Sequence, residues 1–314
     1  MAPARGLTAF GLVAALTACT AGGPLDAPTP LGVAQISLDM VEGGETELAL
    51  SSWPSAGPPE LVILGLHGFG DYGPSTFGTA AELWAEENIQ VYAYDQRGFG
   101  RNASWQRWPG AEALVSDLEA TAKAIRGLHP DIPLIVVGHS MGGGVTLIAA
   151  GEGRLDADGA ILLAPAVWGL DTLPPLYRAG AWFAAVTWPE RRWDGQGVAE
   201  IWPTDNIELL RRLAADPIQF GNPSSREFVG LIRLMDRAMQ AAPRAEMPIV
   251  FIHGSNDEVI PEKAARRAYD AVTAPKTFVE IETGWHMLLR DLEAEVVWRE
   301  VADQARNIAN GEGP

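Results

Sequence analysis

The sequence of 314 residues contains a single cysteine, Cys19. One cysteine cannot form an intrachain disulfide, a Cys-x-x-Cys redox pair or a cysteine zinc cluster, so all three are excluded. Basic residues are also scarce, since 23 Lys and Arg stand against 40 Asp and Glu, and the formal net charge is −17. This balance argues against nucleic acid as a partner and against docking on anionic lipid through a polybasic surface.

The apolar stretch near the N-terminus is too short for a transmembrane helix. It runs from Leu7 to Ala18, about 12 residues, whereas a helix that spans a bilayer needs about 20. Arg5 precedes it, so residues 1–18 are predicted to be a signal peptide. The stretch ends in Leu16-Thr17-Ala18-Cys19, which resembles the bacterial lipobox and predicts lipidation of Cys19.

Lipidation of Cys19 would place the protein outside the cytoplasm, on the periplasmic side or the cell surface of a bacterial membrane. Two or three acyl chains would anchor it firmly, because one chain alone binds a membrane only marginally. An ordinary signal peptide with a chance cysteine is the alternative. Residues 19–31 have the Gly, Pro and Thr composition of a flexible tether, which leaves residues 32–314 for the folded domain.

Short apolar runs bounded by Gly or Pro recur through residues 32–314. Such runs, without alternating polar residues, are typical of strands buried on both faces of a parallel sheet. They predict strands at 61–66, 89–94, 132–137, 160–163, 248–252 and 276–281, and residues 33–40 and 46–52 predict a hairpin. Amphipathic stretches predict helices at 76–88, 110–128, 141–150, 261–273 and 287–307. This alternation predicts an α/β fold with a mostly parallel central sheet and helices on both faces.

Residues 167–243 interrupt the alternation, because they contain no convincing strand. The segment is rich in Pro, Arg and Trp, and its tryptophans are Trp168, Trp182, Trp188, Trp193 and Trp202. We predict a helical cap inserted over the carboxyl ends of the strands. The tryptophans suit either an apolar lid over an acyl chain or packing within the cap, and the sequence leaves both open.

The segment Gly138-His139-Ser140-Met141-Gly142 matches the pattern Gly-x-Ser-x-Gly. A predicted strand leads into it and a predicted helix leads out, which is the setting of a nucleophile elbow. The turn is so tight that side chains two residues before and after Ser140 would collide, and glycine stands at both places. Ser140 is therefore the predicted nucleophile, at a helix N-terminus whose free N–H groups favour developing negative charge.

A serine hydroxyl needs a base to take its proton, and the chain has five histidines. His286 lies between the last predicted strand and the last predicted helix, where the base belongs in the chain order Ser, acid, His. The other four are His67 and His253, which end buried strands, His129, which closes a surface helix, and His139, which is expected to point away from the nucleophile.

The acid should follow a strand between the nucleophile and the base. Asp257, in the loop after strand 248–252, is the predicted acid, because its carboxylate could accept the second ring N–H of His286. Glu258 is the alternative. The oxyanion should be bound by two backbone N–H groups, those of Met141 after the nucleophile and of Phe69 in the loop after strand 61–66.

Together these segments resemble the monoacylglycerol lipase and lysophospholipase branch of the α/β-hydrolases, which is akin to the serine aminopeptidase group. The resemblance covers about residues 45–310 and is carried by His67-Gly68-Phe69-Gly70, Asp95-Gln-Arg97-Gly98-Phe-Gly100, Gly138-His-Ser140-Met-Gly142-Gly143, His253-Gly254-x-x-Asp257-x-x-x-Pro261 and Trp285-His286. It implies the α/β-hydrolase fold, acylation of Ser140 and a structural role for Asp95 and Arg97. The chain departs from the family at Asn102, where members usually carry Ser, so no single subfamily is assigned.

The resemblance predicts a serine hydrolase that cleaves carboxylic esters through an acyl-enzyme, with monoacylglycerol or lysophospholipid as the substrate. A short-chain carboxylesterase and a small-peptide aminopeptidase are alternatives. A non-catalytic, anchored protein that binds lipid or a partner is an alternative of another class, which the filled triad positions argue against. No metal and no organic cofactor is expected, because no cluster of His and carboxylates has ligand spacing. The oligomeric state is not readable from the sequence.

Overall fold

The computed structural model describes residues 34–40, 44–169, 175–193 and 201–313. The predicted signal peptide (1–18), Cys19 and the predicted tether (19–31) lie outside the described residues. The strands are β1 (Ala34–Met40), β2 (Gly44–Trp53), β3 (Leu61–Leu66), β4 (Ile89–Tyr94), β5 (Leu134–His139), β6 (Gly159–Leu163), β7 (Ile249–Gly254) and β8 (Lys276–Ile281). They form one sheet in the order β1-β2-β4-β3-β5-β6-β7-β8. The pairs β1/β2 and β2/β4 are antiparallel, and from β4 to β8 all neighbours are parallel.

Helices pack on both faces of this sheet. The described α-helices are α1 (Gly73–Glu86), α2 (Ala111–Leu128), α3 (Met141–Gly151), α4 (Pro175–Thr187), α5 (Ile207–Ala215), α6 (Ser225–Ala241), α7 (Glu262–Ala271) and α8 (Ala294–Ala309). Side chains of α2, α3, α6 and α7 share one buried apolar cluster with one face of the sheet. Those of α1 and α8 share a second cluster with the opposite face.

The two apolar layers explain why the predicted strands show no polar alternation. Along β3, Val62 and Leu64 point into the first layer, whereas Leu61 and Ile63 point into the second. Successive side chains of a strand point to opposite faces, so a strand covered on both sides is apolar throughout. The predicted α/β fold with a mostly parallel sheet is confirmed.

The described part of residues 167–243 forms α4, α5 and α6, and its extended pairing is an isolated bridge between Arg192 and Ser224. Helix α6 begins with a capping box, in which the Ser224 hydroxyl accepts the Glu227 N–H and the Glu227 carboxylate accepts the Ser224 N–H. Of the five tryptophans in this segment, Trp182, Trp188 and Trp202 are exposed, whereas Trp168 packs against the core. The exact limits of the cap stay a prediction.

The predicted helix 287–307 begins later than expected, because α8 starts at Ala294. Residues between Met287 and Glu293 form turns instead. The N–H of Met287 donates to the carbonyl of Pro203, 2.9 Å away, so this stretch is tied to the segment that precedes α5. Among the described helices, none is both long enough and apolar enough to cross a membrane.

Candidate active site

The turn between β5 and α3 holds Ser140 in a backbone conformation that few residues with a side chain adopt. Its φ is 51° and its ψ is −113°. Hydrogen bonds fix this conformation on both sides: the Ser140 N–H donates to the Leu163 carbonyl at 2.9 Å, and the Ser140 carbonyl accepts the Ala166 N–H at 2.8 Å. Strain of this kind persists only where the surrounding structure enforces it, and it is common at active sites.

The two glycines of the turn are needed for close backbone approach. A Cβ on Gly138 would lie 2.7 Å from the Cα of Gly143, and a Cβ on Gly142 would lie 2.3 Å from the carbonyl oxygen of Leu66. Both distances are shorter than any real contact of a Cβ atom. The motif therefore has the elbow geometry that the sequence predicts.

The structure brings together the three side chains predicted to form the triad. The Oγ of Ser140 lies 3.0 Å from Nε2 of His286, and Nδ1 of His286 lies 2.9 Å from Oδ2 of Asp257. The other carboxylate oxygen of Asp257 accepts the N–H groups of Val259 and Ile260, each at 2.8 Å. Burial alone would raise the pKa of Asp257, but His286, His253 and the N–H of Ile260 hold it below its ordinary value. An ionised Asp257 fixes the ring of His286 with a lone pair on Nε2 facing Ser140.

Glu258, the alternative acid, has a different partner. Its Oε2 accepts the N–H of Trp202 at 2.8 Å, near the surface. Trp202 belongs to the segment that leads into α5, so Glu258 ties this segment to the loop of Asp257. The geometry thus favours Asp257 as the partner of His286.

The loop after β3 lies against the elbow, as an oxyanion-binding loop should. A Cβ on Gly68 would approach the Cβ of Ser140 to 3.3 Å, so glycine lets this loop come close to the nucleophile. Phe69 and Ser140 line the same pocket. In the described part of the chain, the backbone N–H groups of Phe69 and Met141 have no backbone acceptor. Their role as oxyanion donors stays a prediction.

A buried ion pair supports this loop, and no motif in the sequence predicts it. Asp71 and Arg290 are both almost fully buried, and a guanidinium nitrogen of Arg290 lies 2.5 Å from Oδ2 of Asp71. Arg290 also donates to the Ser75 hydroxyl at 3.0 Å, and Gln219 donates to Oδ1 of Asp71 at 2.6 Å. Burial would raise the pKa of Asp71, but the charge of Arg290, the neighbouring His67 and hydrogen bonds from the Tyr72 N–H and Ser75 lower it to about 2. The network joins the loop after β3, the loop after His286 and the cap segment.

The family motif at residues 95–100 links neighbouring elements through hydrogen bonds and ion pairs, as the resemblance implies. Asp95 pairs with Arg101 through a 2.7 Å contact and accepts the Gly73 N–H at the start of α1. Arg97 pairs with the buried Asp117 on α2. The unusual Asn102 is buried, and its side chain accepts the N–H of Ala49 and donates to the carbonyls of Asp95 and Gln96. These three bonds join β2 to the end of β4.

The pocket beside Ser140 has a volume of about 610 Å³ including its open mouth, and its walls are mainly apolar. The apolar lining residues are Phe69, Ala166, Pro203, Leu231, Met235, Val259, Ile260 and Met287. Asp71, Arg290, His139 and His286 supply its polar atoms. Nowhere in the described residues do three or more His, Cys, Asp or Glu side chains form a group that could hold a metal ion.

Comparison with known proteins points to one family. The model of the family described as serine aminopeptidase, S33, matches residues 57–293. A putative monoglyceride lipase of Schizosaccharomyces pombe is 28% identical over 248 residues, which are 76% of this chain and 65% of that protein. A monoacylglycerol lipase of Mycolicibacterium smegmatis is 25% identical over 270 residues, which are 82% of this chain and 92% of that protein. The chain thus spans slightly less than two thirds of the first relative and most of the second.

Solved structures share the fold. The crystal structure of a soluble variant of monoglyceride lipase from Saccharomyces cerevisiae, in complex with a substrate analogue, superposes with a TM-score of 0.73. The match covers 90% of this chain and 99% of that chain at 18% identity. This likeness confirms the α/β-hydrolase fold.

Proposed function

The chain belongs to the serine aminopeptidase S33 family, and from this membership we propose that it is a carboxylic ester hydrolase whose substrate is a monoacylglycerol or a similar single-chain lipid ester. The observation that carries the proposal is the hydrogen-bonded triad, a relay in which Nδ1 of His286 lies 2.9 Å from Oδ2 of Asp257 and Nε2 of His286 lies 3.0 Å from Oγ of Ser140. The relay opens into a largely apolar pocket.

The geometry supports hydrolysis through an acyl-enzyme. Nε2 of His286 takes the proton of the Ser140 hydroxyl as Oγ attacks the ester carbonyl carbon. The oxyanion that forms is bound by the N–H groups of Phe69 and Met141. When the tetrahedral intermediate collapses, the protonated His286 gives its proton to the leaving alcohol. Water then attacks the acyl-enzyme with His286 again as the base, which releases the fatty acid and restores Ser140.

The pocket wall supports a lipid ester over a small polar ester. Apolar side chains from the loop after β3, α6 and the loop after β7 surround the space next to Ser140. Such a wall favours an acyl chain, because transfer of each CH₂ group from water contributes about 0.8 kcal/mol. The relatives named as monoglyceride lipases and the yeast enzyme solved with a substrate analogue support the same substrate class.

The test is hydrolysis of p-nitrophenyl esters from acetate to palmitate, followed by a monoacylglycerol, with Ser140→Ala as the matched control. We expect the highest kcat/KM at medium or long chains, and loss of at least about 10⁴-fold in the variant. An optimum at acetate would retain the triad and show a short-chain esterase. No ester hydrolysis would overturn the proposal, and release of amino acids from small peptides would then show an aminopeptidase.

We further propose that the protein is exported and held on a bacterial membrane by acyl chains on Cys19. The support is the sequence alone, in which the only cysteine follows Leu16-Thr17-Ala18 at the end of a short apolar stretch. An anchor at this place would keep the enzyme at the surface from which single-chain lipids are released. The membrane would then be the source of its substrate.

A further inference from the structure

His139 makes a contact that the triad does not explain. It is the last residue of β5 and directly precedes Ser140, yet its Nε2 lies 2.9 Å from the backbone carbonyl oxygen of His286. A carbonyl oxygen can only accept a hydrogen bond, so Nε2 of His139 must carry the proton. In its neutral form the ring is therefore the Nε2–H tautomer, in which Nδ1 bears a lone pair.

The ring of His139 has little freedom to move. It is 4% exposed, and its centre lies 5.1 Å from the centre of the His286 ring. On its other side, a Cβ on Gly68 would approach Nδ1 to 3.3 Å, so the backbone of the predicted oxyanion loop lies directly against it. Nδ1 has no hydrogen-bond partner among the described residues. A rotated ring would break the bond to His286 without gaining another.

The surroundings of His139 also keep it uncharged. Burial, and the positive charges of His286 and Arg290, lower the pKa of His139 to about 3. A second cation at this distance would oppose the imidazolium that His286 must form during the reaction. Asp71 is the acidic group that acts on His139 from the loop after β3, and its charge is already paired with Arg290.

We propose that His139 is a positioning residue, whose neutral ring holds the backbone of His286 so that Nε2 of His286 faces Ser140. The proposal rests on the proposed function, because it assigns His139 a part in the same reaction. The bond joins the elbow directly to the loop of the base across 147 positions of the chain. Small displacements matter here, since a misplacement of about 1 Å can cost about 10²-fold in rate.

Three variants separate the hydrogen bond from packing. In His139→Gln the side-chain amide can donate from a position close to that of Nε2, whereas the shorter amide of His139→Asn does not reach it. His139→Phe keeps the ring but has no donor. We expect His139→Gln to keep kcat within about threefold of the natural chain, and the Asn and Phe variants to lose about 10- to 10²-fold in kcat with KM nearly unchanged. The rate at which a fluorophosphonate labels Ser140 should fall in parallel with kcat.

The proposal is overturned if His139→Phe keeps kcat, or if the Gln and Phe variants lose kcat equally while their melting temperatures stay at the natural value. NMR of histidine labelled with ¹⁵N in the natural chain gives a second test that requires no variant to fold. We expect His139 to stay the neutral Nε2–H tautomer from pH 9 to pH 5, and titration in this range would contradict the proposal. A natural chain that hydrolyses no ester would refute the proposed function while leaving the tautomer result intact.

Discussion

Asp257 and Glu258 are neighbours in the chain, but their surroundings differ. Asp257 is buried and bonded to His286, whereas Glu258 accepts the Trp202 N–H near the surface. We expect Asp257→Asn to lower kcat by about 10⁴-fold, because the amide would favour the wrong tautomer of His286. Glu258→Gln, the matched control, should keep kcat because its amide oxygen still accepts from Trp202. Steady-state kinetics of both variants decides this, and the opposite pattern would make Glu258 the acid.

Arg290 neutralises Asp71 in a site that water barely reaches. Arg290→Met leaves a buried carboxylate without its cation, which typically costs about 3–5 kcal/mol in the free energy of unfolding. Because Arg290 and the other donors lower the pKa of Asp71 to about 2, the stability that the pair contributes is fully present above the ordinary carboxyl pKa of 3.8. It is lost as the pH falls from about 4 through about 2.

Urea denaturation at several pH values tests this prediction. The difference between the natural chain and Arg290→Met should be largest near neutral pH and should shrink as the pH falls, because the unpaired Asp71 then takes up a proton. Asp71→Asn combined with Arg290→Met should recover part of the loss, since no buried charge remains. A difference that does not vary with pH would show that packing of the Arg290 side chain, and not its charge, stabilises the fold.

At the residue scale, the sequence predicts the groups that a motif and the chain order specify. Ser140 is identified by the two glycines of its Gly-x-Ser-x-Gly motif. His286 and Asp257 are identified by their positions in loops that follow predicted strands. The structure places the three side chains within hydrogen-bonding distance of one another in the order Asp257, His286, Ser140. The network of Asp71, Arg290 and Gln219 could not be predicted, because its members are up to 219 positions apart and each alone is an ordinary polar residue. The hydrogen bond from His139 to the His286 carbonyl could not be predicted for the same reason, because the two residues are 147 positions apart.

At the scale of elements, Asn206 joins the cap to the loop of the base. Its Oδ1 accepts the Leu209 N–H and caps α5, and its Nδ2 donates to the Arg290 carbonyl, each at 3.0 Å. We expect Asn206→Ala to lower the free energy of unfolding by about 1 kcal/mol through loss of the cap. It should also lower kcat, because the loop that follows His286 loses the hydrogen bond from Asn206 to the Arg290 carbonyl.

Asn206→Asp separates these two effects. Its carboxylate retains the cap acceptor, but it has no N–H to donate to Arg290. The melting temperature should therefore return toward that of the natural chain, whereas kcat should remain low. Recovery of kcat together with stability would contradict the idea that the tie to Arg290 matters for the reaction.

The boundaries of elements show where sequence patterns stop being informative. The runs predicted at 61–66 and 89–94 coincide with β3 and β4, because a buried parallel strand is apolar along most of its length. The run predicted at 276–281 coincides with β8, although this edge strand is only partly buried. Helix α8 begins seven positions later than predicted, at Ala294. The residues before it have apolar spacing that also suits a helix, but Met287 bonds to Pro203 and Leu292 to Asp205. Hydrogen bonds to a segment that is distant in the chain produce no periodic pattern in the sequence, so they cannot be predicted from it.

At the scale of the whole molecule, the net charge of −17 does not favour electrostatic binding to an anionic membrane. The proposed lipid on Cys19 would supply the attachment that charge does not. We expect Cys19→Ser to move the protein from the membrane fraction to the soluble fraction, while esterase activity per molecule stays the same. Fractionation of cells that express either form provides the measurement. Unchanged membrane association of the variant would refute lipidation of Cys19 as the anchor.

Covalent labelling with a fluorophosphonate tests whether Ser140 is a nucleophile that His286 activates. We predict one adduct per chain in the intact mass, located on Ser140 by peptide mapping. The label should be absent from Ser140→Ala and should form at least about 10²-fold more slowly in His286→Ala, because the hydroxyl then lacks its base. An adduct on another residue, or labelling of Ser140 at an unchanged rate without His286, would contradict the account.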